Sequence, residues 1–137
     1  EVGMWGADDP TNRKPMLWKD LEPYEDPSDN FVMDDHLEFY RRAIALRNGH
    51  VALRRGSIRT LLVDDALDTW VFLREYEDDV VLVALNASDR EVSLEVPEDA
   101  LPAGTWSSAF GSPSAAESTP PMLVVPPLAG RVWTLTP

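Results

Sequence analysis

Residues 69–86 read TWVFLREYEDDVVLVALN, and the fold class turns on how this stretch is taken. Two runs rich in Val, Leu and aromatic residues, 69–76 and 80–86, flank the acidic triplet Glu77, Asp78 and Asp79. Such residues favour pleated strands, and a short polar connection between two of them reads as a hairpin.

Working downstream, the same character returns at 91–96, 105–110, 122–125 and 131–135, and upstream at 58–63. In 91–96 the residues Val92, Leu94 and Val96 alternate with Glu91, Ser93 and Glu95, the period of a half-exposed strand. Seven short strands bounded by turn residues predict an antiparallel β-sandwich. The Ser-, Pro- and Ala-rich segment 111–121 has no apolar period and reads as a surface loop. No internal repeat is visible.

Before Gly56 the period changes. Leu37, Tyr40 and Ile44, with Phe39, Ala43 and Leu46 beside them and Val51 as a further candidate, form an apolar stripe at helical spacing. The spacing predicts a helix over 34–48, with Asp34 or Asp35 as its cap, Glu38 completing a capping box and Gly49 as its stop. Arg41, Arg42 and Arg47 lie toward the end where the helix dipole favours cations. Residues 1–30 carry Pro10, Pro15, Pro23 and Pro27, which exclude a regular helix or central strand. This is a long loop, and Trp5, Met16, Leu17, Trp18 and Tyr24 are expected to anchor it.

The chain has 137 residues, 24 acidic against 12 basic side chains and a formal charge of −12. That field repels a phosphate backbone, so no nucleic-acid partner is expected. Ordinary globular composition and the lack of a long apolar run argue against a membrane partner. No cysteine occurs, which excludes disulfides, thiolate metal sites and a cysteine nucleophile. His36 and His50 have no second ligand at metal-binding spacing, so neither a metal nor a cofactor is expected. With a loop and a helix that lack a layer of their own beside the strands, the chain reads as part of a longer polypeptide.

Two ordered motifs carry a resemblance. The first is Gly3-Met4, Asp9-Pro10, Arg13-Lys14-Pro15-Met16 and Trp18; the second is Phe39-Tyr40-Arg41-Arg42, Ile44-Ala45-Leu46-Arg47 and Ala52-Leu53-Arg54-Arg55-Gly56. The first resembles the loop after the eighth barrel strand of α-amylase-family glycoside hydrolases, especially neopullulanases, cyclomaltodextrinases and maltogenic amylases. The second resembles that family's last barrel helix and the joint into its C-terminal β-domain. Val51 departs from the pattern, which often has proline there.

The resemblance implies that residues 1–56 end a catalytic (β/α)₈ barrel and residues 57–137 form the C-terminal sandwich. It further implies a parent that hydrolyses or transfers α-1,4 or α-1,6 glucosidic bonds of maltooligosaccharides, cyclodextrins or pullulan by a retaining mechanism. The family's nucleophile, general acid and third carboxylate would all lie upstream of Glu1, so no catalytic residue is expected in this chain.

The resemblance places Asp9 and Arg13 on the rim of the cleft, where a carboxylate accepts from sugar hydroxyls and a guanidinium fork donates to them. A structural ion pair within the loop is the equal alternative. Trp5 is a further substrate-binding candidate, while Trp18 is expected to anchor the loop and Trp70, Trp106 and Trp133 to pack in the core. The doublets Asp8-Asp9, Asp34-Asp35, Asp64-Asp65 and Asp78-Asp79 read as loop, cap and turn residues. Asn86-Ala87-Ser88 reads as a turn although it matches a glycosylation acceptor.

Expected partners are an α-glucan, met through the parent barrel, and either the rest of the parent or a homo-oligomer that covers the helix stripe. The rival readings make the sandwich a glucan-binding module or a purely structural one.

Overall fold

The computed structural model describes residues 2–4, 6, 8–10, 12–22, 32–111 and 118–137. Their order is helix α1 (Asp34–Gly49), a short helix α2 (Val51–Arg55), then β1 (Ser57–Asp64), β2 (Thr69–Tyr76), β3 (Asp79–Asn86), β4 (Val92–Glu95), β5 (Thr105–Phe110), β6 (Met122–Val125) and β7 (Ala129–Thr136). All the strands read from the sequence occur, within two residues at either end. Two compact units result, Glu1–Ala45 and Leu46–Pro137, divided inside α1.

The larger unit is an antiparallel β-sandwich. One sheet has five strands in the order β1-β2-β3-β7-β5, and the other pairs β4 with β6. Between them Val71, Leu73, Leu82, Leu94, Leu123 and Trp133 form the centre of the core. Strand β3 explains its own near-continuous apolar run, because both of its faces are covered. Val80, Leu82 and Ala84 face the second sheet, while Val81 and Val83 join Ala52 and Val132 on the opposite side. A bulge in β1 between Thr60 and Leu62 lets the consecutive Leu61 and Leu62 both pack on the inter-sheet core.

The turn reading of Asn86-Ala87-Ser88 holds. The Asn86 side chain is buried, its amide donating to the carbonyls of Arg90, Val125 and Pro126 while its oxygen accepts from the N–H and hydroxyl of Ser88. A side chain so committed has no amide to offer a glycan. The joint from α2 into β1 is equally tight. A Cβ on Gly56 would stand 2.5 Å from the Ala52 carbonyl oxygen and 2.8 Å from that of Glu75, so only glycine passes between helix and strand.

In the smaller unit Val2, Leu17 and Val32 are buried together, with Met4 and Leu37 packed against them. The Met33 N–H donates to the Val2 carbonyl at 3.0 Å and the Val32 N–H to Glu22 Oε1 at 2.7 Å. Gly3 adopts a φ of 81°, and a Cβ there would strike Met33.

Two expectations about the helix are corrected. Asp34 and Asp35 lie inside the first turn of α1 rather than before it, so they act through their charge near the N-terminus and not as caps. The helix stops at Gly49 as expected, yet Val51 starts α2 instead of extending the stripe, because His50 is extended (φ −115°, ψ 116°). Along the stripe Leu37 and Leu46 are partly buried against the two apolar clusters, while Phe39, Tyr40 and Ile44 are about half exposed among the described residues.

Candidate functional site

The candidate rim residues stand on one turn. The Asn12 N–H donates to the Asp8 carbonyl and the Arg13 N–H to that of Pro10, folding 8–13 back on itself. Asp8 Oδ1 accepts from the Asp9 N–H at 2.8 Å, fixing the entry to the turn. Arg13 Nε thereby comes 2.7 Å from Asp9 Oδ1, while their side chains remain 77% and 59% exposed. An ion pair so exposed contributes about 0.2–1 kcal/mol, too little to organise a loop. Among the described residues neither side chain makes another hydrogen bond, so the second carboxylate oxygen and the outer guanidinium nitrogens face solvent. The third candidate, Trp5, and the expected anchor Tyr24 lie outside the described residues.

In the segment after the turn one buried residue stands among exposed neighbours. Leu17 points inward and is 5% exposed, whereas Trp18 is 57% exposed. Leu17 is therefore the anchor and Trp18 is not, contrary to the sequence reading. Met16, Trp18 and Lys19 line a cleft of about 350 Å³ whose floor is Val2, Leu17 and Val32, with Leu37 and Arg41 on the helical side. Asp9 and Arg13 do not line it.

The acidic doublets resolve into structural roles. Asp34 pairs with Lys19, and that hydrogen bond, supported by the charges of Asp34 and Glu22 against desolvation, holds the Lys19 ammonium above its ordinary range. Asp64 Oδ1 accepts from the Ala66 and Leu67 N–H groups, closing the β1–β2 turn. Asp79 begins β3 and reaches α2, its Oδ1 lying 2.9 Å from His50 Nδ1 and its Oδ2 2.8 Å from the Ala52 nitrogen. Sequence reading missed this pairing because the partners lie 29 residues apart. Among the described residues no group of three or more His, Cys, Asp or Glu side chains is arranged to hold a metal, and no helix is long and apolar enough to cross a membrane.

The strand tryptophans divide. Trp133 is fully buried, its Nε1–H donating to the Ser118 carbonyl at 3.0 Å with the Arg131 guanidinium 5.1 Å over its ring. Trp106 is half-buried against the same core. Trp70 is 37% exposed on the outer face of β2, which corrects its assignment to the core. Trp133 offers no surface to a glucan, which leaves Trp70 and Trp106 as the exposed or half-buried pair for the glucan-binding reading of the sandwich.

A family model described as the maltogenic amylase C-terminal domain matches residues 58–134. The chain is 35% identical over 100 residues to neopullulanase 2 of Thermoactinomyces vulgaris, covering 72% of this chain and 16% of that protein. It is 33% identical over 107 residues to a cyclomaltodextrinase of Geobacillus thermopakistaniensis, covering 77% of this chain and 16% of that protein. It thus spans about a sixth of the length of these curated relatives. Among solved structures, the α-amylase of Geobacillus thermoleovorans complexed with acarbose aligns with 100% of this chain and 28% of its own, at a TM-score of 0.75 and 22% identity. A trehalose-6-phosphate hydrolase of Bacillus licheniformis aligns with 72% of this chain and 18% of its own, at a TM-score of 0.61 and 19% identity. At these identities the two structures establish the shared fold.

Proposed function

This chain belongs to the maltogenic amylase C-terminal domain family of the α-amylase-type glycoside hydrolases, and on that premise we propose that it closes an enzyme acting on α-glucosidic bonds. Residues 1–56 are the last loop and helix of its (β/α)₈ barrel, and residues 57–137 are the sandwich that follows. The observation that carries this reading is the extent of the likeness. The alignment with a solved α-amylase runs over 100% of this chain, which supports reading the loop and helix together with the sandwich.

The parent's substrates are maltooligosaccharides, cyclodextrins or pullulan, cleaved or transferred with retention. Retention needs two carboxyl groups about 5–5.5 Å apart across the scissile bond, one protonating the leaving oxygen and one attacking the anomeric carbon. Neither belongs to this chain, which is catalytically incomplete by itself. Its contribution is at the rim. Asp9 accepts hydrogen bonds from vicinal hydroxyls and Arg13 donates from its outer nitrogens, orienting a pyranose away from the cleaved bond. The turn that carries both residues puts the carboxylate and the guanidinium side by side, so that one sugar ring can meet both.

The test has two parts. The coding sequence upstream of Glu1 should encode an eight-stranded barrel with three acidic residues after strands four, five and seven. In the enzyme so encoded, exchanging Asp9 or Arg13 should raise KM for maltooligosaccharides more than it lowers kcat. An upstream sequence without a barrel would end the proposal.

A further inference from the structure

The cleft of about 350 Å³ in the smaller unit combines an apolar floor with a charged wall. Val2, Leu17 and Val32 make the floor and are all buried, while Met16 and Trp18 are 39% and 57% exposed. Trp18 stands on a fixed base. Its neighbour Leu17 is locked into the floor, and the Leu21 N–H donates to the Trp18 carbonyl at 3.0 Å as the 3₁₀ turn Lys19–Leu21 begins. Lys19, next in the wall, is braced by its pairing with Asp34.

Three charged side chains, Lys19, Asp20 and Arg41, stand around this apolar floor. The centre of a protein interface is depleted of charge, whereas a small-molecule site sets a few polar groups about an apolar one. The Lys19 charge is answered by Asp34, and among the described residues Asp20 and Arg41 make no hydrogen bond or ion pair. One free carboxylate and one free guanidinium of opposite sign leave the lining without net charge, which suits a neutral ligand rich in hydroxyl groups. A nucleotide would offer a ring to the indole as well, but its phosphates are repelled by a chain of net charge −12. The volume lies at the small end of ligand pockets, about 300–1,000 Å³, and suits a single ring.

We propose that this cleft binds one glucose unit of an α-glucan chain, with the apolar face of the ring on Trp18 and its hydroxyls donating to Asp20 and accepting from Arg41. The inference rests on the reading that the parent enzyme acts on α-glucans. Asp9 and Arg13 do not line the cleft, so the unit held here differs from the one they orient.

Calorimetric titration of the 137-residue chain with millimolar maltohexaose tests this. Heat of binding is expected, and Trp18→Ala should weaken the affinity about tenfold or more, while Trp18→Phe, which keeps an aromatic face, restores most of it. Arg41→Ala should weaken it about threefold or more. Because Trp18 is largely exposed, the urea midpoint of Trp18→Ala should match that of the unsubstituted chain. No heat from the unsubstituted chain overturns the proposal, as does equal affinity for the β-linked cellohexaose. Binding that survives Trp18→Ala but falls with Asp9→Asn belongs to the rim turn, and binding lost with Trp70→Ala belongs to the sandwich; either result overturns it. Hydroxyl-radical oxidation of Trp18 supplies the check in the full-length parent, where it should match that of the sugar-free chain. Protection of Trp18 in the sugar-free parent means that the preceding polypeptide fills the cleft, and overturns the proposal too. All these failures leave the barrel reading standing, whereas an upstream sequence that encodes no barrel removes that reading and this inference with it.

Discussion

Asp79, the first residue of β3, holds His50 with one carboxylate oxygen and the Ala52 N–H of α2 with the other. A strand thereby caps a helix that has no cap of its own, since the His50 side chain makes no capping bond. Desolvation alone would raise the Asp79 carboxyl. The Ala52 N–H, then His50 by hydrogen bond and charge, and the Val51 N–H outweigh it, so the group sits below its ordinary range.

Because the folded pKa is depressed, the charged form of Asp79 adds stability above its unfolded value of 3.8, and that stability is lost as pH falls through the lower folded pKa. Urea midpoints of the chain and of Asp79→Asn, compared from pH 2 to pH 7, should therefore differ above about pH 4 and converge in stronger acid. Asp79→Ala, which also removes the cap acceptor, should cost about 1–2 kcal/mol at neutral pH.

The Asn86 network predicts a larger loss. Asn86→Ala strands the Val125 carbonyl and the Ser88 N–H in a buried turn, which should cost about 2–4 kcal/mol by equilibrium denaturation. Asn86→Asp should be no better, because a carboxylate cannot donate to the three carbonyls the amide now serves.

At the joint between α2 and β1, Gly56→Ala places a methyl group against two backbone carbonyls that cannot rotate away. A loss of about 1–3 kcal/mol is expected. Ser57→Ala next door loses only a long hydrogen bond to the Glu75 carbonyl, 3.4 Å, and should leave the melting temperature within about a degree of the parent value.

Phe39, Tyr40 and Ile44 are about half exposed on α1, with the first two rings edge to face at 5.7 Å. The isolated chain should therefore self-associate, seen as an elution volume that falls with concentration in size-exclusion chromatography. Replacing Phe39 and Ile44 by Ser should abolish that dependence, and the full-length parent should not show it through this face.

How much of this could be read from the sequence differs by element. The strands were legible because their signal is local: period two at 91–96, and apolar runs punctuated by acidic turns at 69–86. Which face of β2 is covered was not legible, since Trp70 and Val71 look alike in a strand whose neighbours are unknown. The existence of α1 followed from spacing, but periodicity marks a stripe without saying what covers it. The break at His50 was missed because Asp79 caps α2 from a distant hairpin. Asp9 and Arg13 became candidates through resemblance alone; their spacing of four permits the pairing seen, and a turn rather than a helix brings it about.

Turnover of maltooligosaccharides and cyclodextrins by the purified 137-residue chain, measured beside the full-length parent at equal molarity, bears most directly on the claim that this chain completes a hydrolase without containing its chemistry. The account predicts reducing-sugar release by the parent and none by the chain. Release by the chain alone, or its absence from the intact parent on every α-glucan tried, would contradict it.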